Sequence, residues 1–503
     1  MTRTNRFLGG VTLGSLQLAL ATVVGLWMTP FLLEQLGSGT LGVWLVAQQL
    51  LGYLLLMDLG VTALLPRETA YAVGRGRPET GDLAGVIARA RRAVRFQIPL
   101  VVAATVAVAL WIATRKVGIG GPLLLVLACF ALLFPTRIYQ SVLQGLQELP
   151  FLGKLQIASW AVTTGLTIAL VLAGAGLWAL VAGWAAGQAL TAAVAWLRIR
   201  QRHKHVWPAW SVKPGWSEVR PYMQSAAWVS VAQVAQVLLS GSDLLMVGGL
   251  LGAQAVVLYA CTSKLTTVLA NHPQLIMASA APALSELWAS GQRGRLVDLV
   301  TALTLAMLTL SGLVACLTLA LNGAFVTWWV GPLHFGGGTL TALLVIQLIL
   351  RHWNITVIYG LVAFGHERRV SMTNLVDGVV SVVVGLLLVP VIGLAGPIVG
   401  SLVAVVAVSL PSNLLALAVR ADVTPSAWVR SLAPWAWRVV ILGSASAMLP
   451  FFWVPSTVAG LVLCATAISV VYLVTMAHGL RQSVLAPFVA ARLAPLFLRL
   501  RAA

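Results

Sequence analysis

The chain has 503 residues, 59% of them hydrophobic and only 9% charged, with 32 lysines and arginines against 13 acids for a net charge of +19. A soluble globular domain carries about 25% charged residues, so this composition excludes a soluble enzyme and describes a chain dissolved in a bilayer. The four cysteines, Cys129, Cys261, Cys316 and Cys464, lie in apolar runs without metal-ligand or redox spacing and read as small buried hydrophobes.

In chain order, apolar runs of about 20 residues, the length that crosses hydrocarbon as a helix, fall near 8–33, 41–65, 96–114, 119–145, 151–173, 176–197, 222–250, 253–284, 298–330, 338–364, 370–390, 393–418, 435–453 and 456–478. The expectation is an all-α polytopic membrane protein of about fourteen transmembrane helices. The eighth run is too long for a simple crossing and predicts an extramembrane turn around Pro282. Arg3 and Arg6 precede an apolar run with Ala19-Leu20-Ala21, a pattern like a cleavage site, but the run continues to Leu33 and predicts a retained span.

Placing the N-terminus in the cytoplasm puts all but five of the 32 lysines and arginines in the tails and the even-numbered connections. Arg115 and Lys116 fall on the other side, and Arg137, Lys264 and Arg351 fall inside spans. The positive charge is therefore topology, with both termini cytoplasmic, and it implies no nucleic-acid partner. Residues 79–95 and the tail 479–503 mix arginines with apolar side chains and predict interfacial helices held by anionic lipid.

The second half repeats the first. Leu36-Gly37 aligns with Leu251-Gly252 and Trp44 with Tyr259, both at an offset of 215; GLWALVAG from Gly176 aligns with GLAGPIVG from Gly393 at 217. Pro66 corresponds to Pro282, and Gly145 resembles Gly365. Six spans per copy makes the repeats parallel, a recurrent transporter plan. The expected organisation is an N-terminal lobe at 1–197, a basic cytoplasmic linker at 198–221, a C-terminal lobe at 222–418, two appended helices at 419–478 and the amphipathic tail. Glycines four apart, Gly10/Gly14, Gly183/Gly187, Gly248/Gly252 and Gly396/Gly400, predict close helix approaches.

No nucleotide-binding loop, metalloprotease motif or hydrolase elbow occurs, so neither catalysis nor a cofactor is implied. His203 and His205 stand in the basic linker and read as a solvated loop. Charges inside spans cost about 2.5–3.5 kcal/mol each on insertion scales and face a cavity or a partner. By helix rise, Lys264 and Arg351 sit near mid-membrane and Arg137 nearer the cytoplasmic end of its span; these three are the cationic-cavity candidates for phosphate. Asp58, Asp243 and Asp377 lie nearer span ends and, with His272 and His352, are the gating or coupling candidates. Buried salt bridges among these charges are the competing reading.

TPFLLEQLGSGTLGVW followed by LLLMDLG, and SDLLMVGGLLGAQAVVLYACTSKL followed by APALSEL, resemble polysaccharide flippases of the multidrug/oligosaccharidyl-lipid/polysaccharide exporter superfamily. The likeness runs over nearly the whole chain. It implies two six-helix lobes around a cavity, alternating access, and a polyprenyl-pyrophosphate-linked oligosaccharide as cargo, for O-antigen, capsule or exopolysaccharide synthesis in a bacterial cytoplasmic membrane. It also implies a monomer working beside polysaccharide polymerase machinery, with proton or sodium coupling left open. Relatives often follow the second-half aspartate with a basic residue, whereas Leu244 follows Asp243 here. The arginine-rich first-span pattern of the peptidoglycan-precursor flippase is also missing. A multidrug antiporter of the same superfamily would need an acidic cavity, and a membrane polymerase would need a large outer loop.

Overall fold

In a computed structural model the described residues are 3–74, 82–114, 120–203, 214–422 and 424–480, and they are helical without a strand. The tail from 481 onward and the linker residues 204–213 lie outside them, so the amphipathic tail and His205 do too. The chain divides into two compact units, Met1–Val237 and Leu238–Ala503.

The first unit contains α1 (Arg3–Leu54), α2 (Val61–Gly74), α3 (Asp82–Thr114), α4 (Gly120–Leu133), α5 (Arg137–Gly145), α6 (Leu149–Leu172), α7 (Leu177–Arg202) and most of α8 (Trp216–Gly241). α6 packs along α7 and α1, and α2 packs between α5 and α3. The arginine-bearing stretch expected to lie on the lipid surface is instead the first half of α3. Its apolar stripe, Leu83, Val86, Ile87, Ala90 and Val94, is buried inside the lobe where α3 meets α2, because a helix long enough to continue into the bilayer is stabilised more by a protein partner than by lipid headgroups. Lipid-facing surface is carried elsewhere, on exposed Leu110, Leu132 and Leu172.

The second unit contains α9 (Asp243–Leu250), α10 (Ala253–Ala289), α11 (Arg293–Val330), α12 (Gly338–Ala363), α13 (Glu367–Ile392), α14 (Gly396–Ala404), a π-helical turn at Val405–Ser409, α15 (Leu410–Ala421), α16 (Pro425–Ser431), α17 (Ala433–Phe452) and α18 (Val458–Leu480). α11 is the spine, flanked by α10, α12, α17 and α18. The two appended helices dock on it through Tyr472, whose hydroxyl donates to the carbonyl of Thr309 at 2.7 Å. Gly312 permits that approach, since a Cβ there would lie 2.3 Å from the Tyr472 oxygen. The turn expected at Pro282 is absent: α10 runs unbroken to Ala289 and the chain reverses at Gly291, with φ 73°. A helix leaving the bilayer satisfies its own backbone, so it need not stop at the interface.

Among the described residues eleven helices are long and apolar enough to cross a membrane, or twelve when the pair Trp216–Leu239 and Asp243–Leu250, bent by 52°, counts as one. Two of the eleven, Leu20–Asp58 with 39 residues and Glu367–Ala421 with 55, have length for two crossings each. Gly37 breaks the first with φ 75°, ψ 163°, and Gly393 breaks the second with φ 61°, ψ −132°. Taking each as two crossings gives the fourteen expected from sequence.

These breaks also demonstrate the repeat. Gly252 has φ 91°, ψ 170°, matching Gly37, and Gly176 has φ 56°, ψ −134°, matching Gly393. Gly183 and Gly400 are equally paired: a Cβ on Gly183 would meet the Thr163 carbonyl at 2.7 Å, and one on Gly400 the Ser381 carbonyl at 2.5 Å. The expected match of Gly145 with Gly365 shifts by two residues. Gly365 turns the chain with φ 79°, and the residue with the same turn and the same hydrogen-bond pattern is Gln147, φ 61°. The spacing of Gly248 and Gly252 is likewise not a packing motif, because Gly252 serves the turn and a Cβ on it would meet nothing within 4 Å.

Candidate functional site

In the N-terminal lobe, a short 3₁₀ segment, Leu55–Asp58, ends α1, and the chain then takes two left-handed residues, Leu59 and Gly60. Gly60 lies under α8, where a Cβ would sit 2.2 Å from the carbonyl oxygen of Ala226. Asp58, 1% exposed, caps the start of α2: its carboxylate accepts from the Thr62 amide at 3.1 and 3.2 Å and from the Thr62 hydroxyl at 2.7 Å. Gln97 donates to the Asp58 carbonyl at 2.6 Å, and the Tyr222 hydroxyl donates to the Val61 carbonyl at 2.9 Å.

Arg137 opens α5, and its charge and that of Asp58 attract. Its guanidinium carbon lies 5.9 Å from the Phe134 ring centroid, and its Nη1 is sealed from solvent without a hydrogen-bond partner among the described residues. A buried donor left unmatched costs about 1–3 kcal/mol, so the arrangement holds a cation with bonding capacity in reserve. Beside it opens a cavity of about 390 Å³ whose walls include Gln48 and Gly52 of α1, Phe130 of α4, Gln140 of α5, and Trp184 and Gln188 of α7. A second cavity of about 330 Å³ adjoins along α5 and α6 and shares Gln140 with the first.

The C-terminal lobe treats its charges differently. Arg351 on α12 forms a two-pronged ion pair with Asp377 on α13, Nη1 to Oδ2 at 2.6 Å and Nη2 to Oδ1 at 3.0 Å. Ser401 on α14 accepts from Nε and Nη2 through its hydroxyl, at 3.1 and 2.7 Å, and from Nη2 through its carbonyl, at 3.1 Å. Asp243 begins α9 and accepts a 2.5 Å hydrogen bond from Tyr259. His352 is buried, with Nδ1 2.6 Å from the Ser311 hydroxyl. Lys264, half-buried on α10, has neither an ion pair nor a hydrogen bond among the described residues. The side chain of His272 lies outside the described set.

The structure thus joins Arg351 with Asp377 by direct contact, whereas Asp58 and Arg137 face each other electrostatically without a hydrogen bond or ion pair among the described residues. The glutamines and Trp184 around Arg137 were missed by a reading that searched spans for charge. Their signal was available as neutral amides recurring in the spans of one half. At the edge of the N-terminal lobe, Arg198 pairs with Glu148 at 2.7 Å and lies 4.5 Å from the Phe151 ring centroid, while Nε2 of His203 lies 3.5 Å from the same carboxylate. Burial raises the Glu148 pKa, but the Arg198 hydrogen bond and charge, with His203, outweigh it and hold the carboxyl below its ordinary value.

The family model for polysaccharide biosynthesis proteins matches residues 99–324. The uncharacterized membrane protein EpsK of Bacillus subtilis (strain 168) is 23% identical over 385 residues, covering 73% of this chain and 74% of its own. Among solved structures, the lipid II flippase MurJ in an inward-closed conformation superposes with a TM-score of 0.68 at 12% identity, over 93% of this chain and 98% of MurJ. The chain thus resembles polysaccharide biosynthesis proteins over somewhat less than half of its length, and it shares the fold of MurJ. An inward-facing multidrug resistance MATE transporter of the MOP superfamily shares the fold at a TM-score of 0.64 and 12% identity, over 86% of this chain and all of that one. Identities so low establish architecture, and the choice of cargo has to come from the site.

Proposed function

We propose that the protein flips a polyprenyl-pyrophosphate-linked oligosaccharide from the cytoplasmic to the outer leaflet of a bacterial cytoplasmic membrane, by alternating exposure of its site to the two sides. The observation that carries this reading is the N-terminal cavity, where a partly unmatched arginine stands among amides and a tryptophan. A pyrophosphate needs a planar, multi-donor cation, which Arg137 supplies. A sugar needs paired donors and acceptors with an aromatic face, which Gln48, Gln140, Gln188 and Trp184 supply. An organic cation would find no acidic wall there, because Asp58 is committed to Thr62 and lies opposite Arg137.

Lys264 is the second cargo cation in this proposal, being half-buried and unpaired among the described residues. Arg351 is assigned instead to holding α12, α13 and α14 together. Asp243 with Tyr259 is the coupling candidate that no basic side chain neutralises by direct contact among the described residues. In proteoliposomes loaded with a fluorescent lipid-linked oligosaccharide, Arg137→Gln with Lys264→Gln should cut flipping by ten- to a hundredfold, the worth of one or two charge-assisted hydrogen bonds. Undiminished flipping by that double variant would refute the assignment of the site.

A further inference from the structure

The second N-terminal cavity, between α5 and α6, has no ionisable side chain on its wall. Its polar groups are Gln140, Gln144 and Gln156, set against Leu149, Leu152 and Leu155. We propose that this groove is a sugar-reading subsite that accepts uncharged, hydroxyl-rich glycan and is distinct from the place where Arg137 takes the pyrophosphate. The inference rests on the flippase reading above and assigns the sugar part of the cargo.

Helical spacing puts the two subsites in line. Arg137, Gln140 and Gln144 are separated by three and four residues, so they stack on one face of α5 over about 10 Å. The groove begins where the first cavity ends, at Gln140, so a molecule held at Arg137 by its phosphates extends along this face. Gln144 and Gln156 are both exposed. An amide facing hydrocarbon without a partner is costly, which makes this face a wet one.

The repeat shows that the fold does not require the two amides on α5. The turn match of Gln147 with Gly365 sets an offset of 218 for this part of the chain, and it places Ile358 opposite Gln140 and Val362 opposite Gln144. The same backbone therefore accepts apolar side chains at both α5 positions in the other copy, so Gln140 and Gln144 serve something outside the packing, while Gln156 has an amide counterpart in Asn374. Each amide offers two donors and an acceptor oxygen, the complement of vicinal hydroxyls. A carboxylate on the sugar would lose water in a groove that returns no positive charge, so uronic-acid glycans are disfavoured.

The test uses the full chain in lipid nanodiscs and measures binding of three probes: a short polyprenyl pyrophosphate, the same lipid bearing a neutral trisaccharide, and the same lipid with one hexose oxidised to the uronic acid. The neutral glycan should bind at least about tenfold tighter than the bare lipid, and the acidic one should lose that gain, as expected for two hydrogen bonds at about fivefold each. Gln144→Leu with Gln156→Leu should erase the gain and leave the bare lipid where it was. Gln144→Glu with Gln156→Glu should tighten binding of a glycan bearing a free amine, a gain that misfolding does not produce. Equal weakening of bare and glycosylated lipid by the leucine pair, or equal affinity of neutral and acidic glycans, overturns the proposal. Should the bare lipid fail to bind while free neutral trisaccharide still depends on Gln144 and Gln156, the pyrophosphate reading falls and the groove stands.

Discussion

Where the C-terminal lobe buries Arg351, it surrounds the guanidinium with the Asp377 carboxylate and both oxygens of Ser401; where the N-terminal lobe buries Arg137, it leaves a donor unmatched beside a cavity. The same contrast extends to neutral groups. Asn354 of the second lobe is tied to Ser409 and Asn413, and Asn322 to Thr262 and Thr341. In the first lobe Gln48, Gln140, Gln144, Gln156 and Gln188 line open space. At these positions two copies of one backbone plan have divided the labour, one spending its polar groups on internal cohesion and the other presenting them, while Asn322 Oδ1, Asn413 Oδ1 and Arg369 Nη1 of the second lobe also stay unmatched among the described residues. A satisfied buried network fixes one arrangement of helices, whereas unmatched groups are available to a ligand.

The sharpest way to break the contrast is to remove one partner of the C-terminal ion pair. Arg351→Met leaves the fully buried Asp377 uncompensated and should cost about 3–5 kcal/mol in thermal unfolding of detergent-solubilised protein. Adding Asp377→Asn to that variant should recover most of the loss. If the two single variants and the double variant are equally stable, the C-terminal network is not cohesive in the sense argued.

Arg137→Gln makes the opposite statement. Asp58 keeps its three bonds from Thr62, so stability should fall by about 1 kcal/mol or less, while binding of the bare polyprenyl pyrophosphate falls at least about tenfold. A stability loss as large as that of Arg351→Met would make the two arginines alike and dissolve the comparison.

A smaller effect tests the edge of the N-terminal lobe, where an ion pair has a structural role as in the other lobe. Glu148 has a folded pKa held below its unfolded value, so its contribution is full above the unfolded pKa and is lost as pH falls through the lowered folded one. Glu148→Gln should therefore cost about 1 kcal/mol at neutral pH and nothing in acid, where the wild type has lost the same interaction. A constant difference from pH 7 to pH 3 would show that the effect is steric.

Much of the plan was legible because it depends on glycine and on period. Gly37, Gly252, Gly176 and Gly393 occupy conformations with positive φ that other residues resist, so matching turns leave matching letters. The site was less legible for two reasons. Arg351 and Asp377 are 26 residues apart on neighbouring helices, and a sequence shows their charges without showing that they meet. The cargo face was hidden because glutamine carries no charge and its cost in a span depends on whether water reaches it. The turn at Gln147 is hidden in the sequence for a third reason: a left-handed turn need not carry glycine, and the nearby Gly145 instead lets α5 approach Thr69, 2.4 Å from where its Cβ would be.

That hidden turn supplies the smallest test of the repeat. Gln147 pays for its left-handed backbone without an evident return, since its side chain is exposed and its amide bond to the Gln144 carbonyl is made by backbone alone. Gln147→Gly should relieve that strain and raise stability by somewhat less than 1 kcal/mol, reduced by the greater freedom of glycine in the unfolded chain. Gly365→Ala imposes the same conformation on a residue with a Cβ and should lower stability by about 1 kcal/mol. Opposite signs at these two positions are what equivalent turns in two copies require. If both substitutions shift unfolding in the same direction, the offset of 218 is wrong, and with it the argument that Ile358 and Val362 stand where the first copy keeps its glutamines.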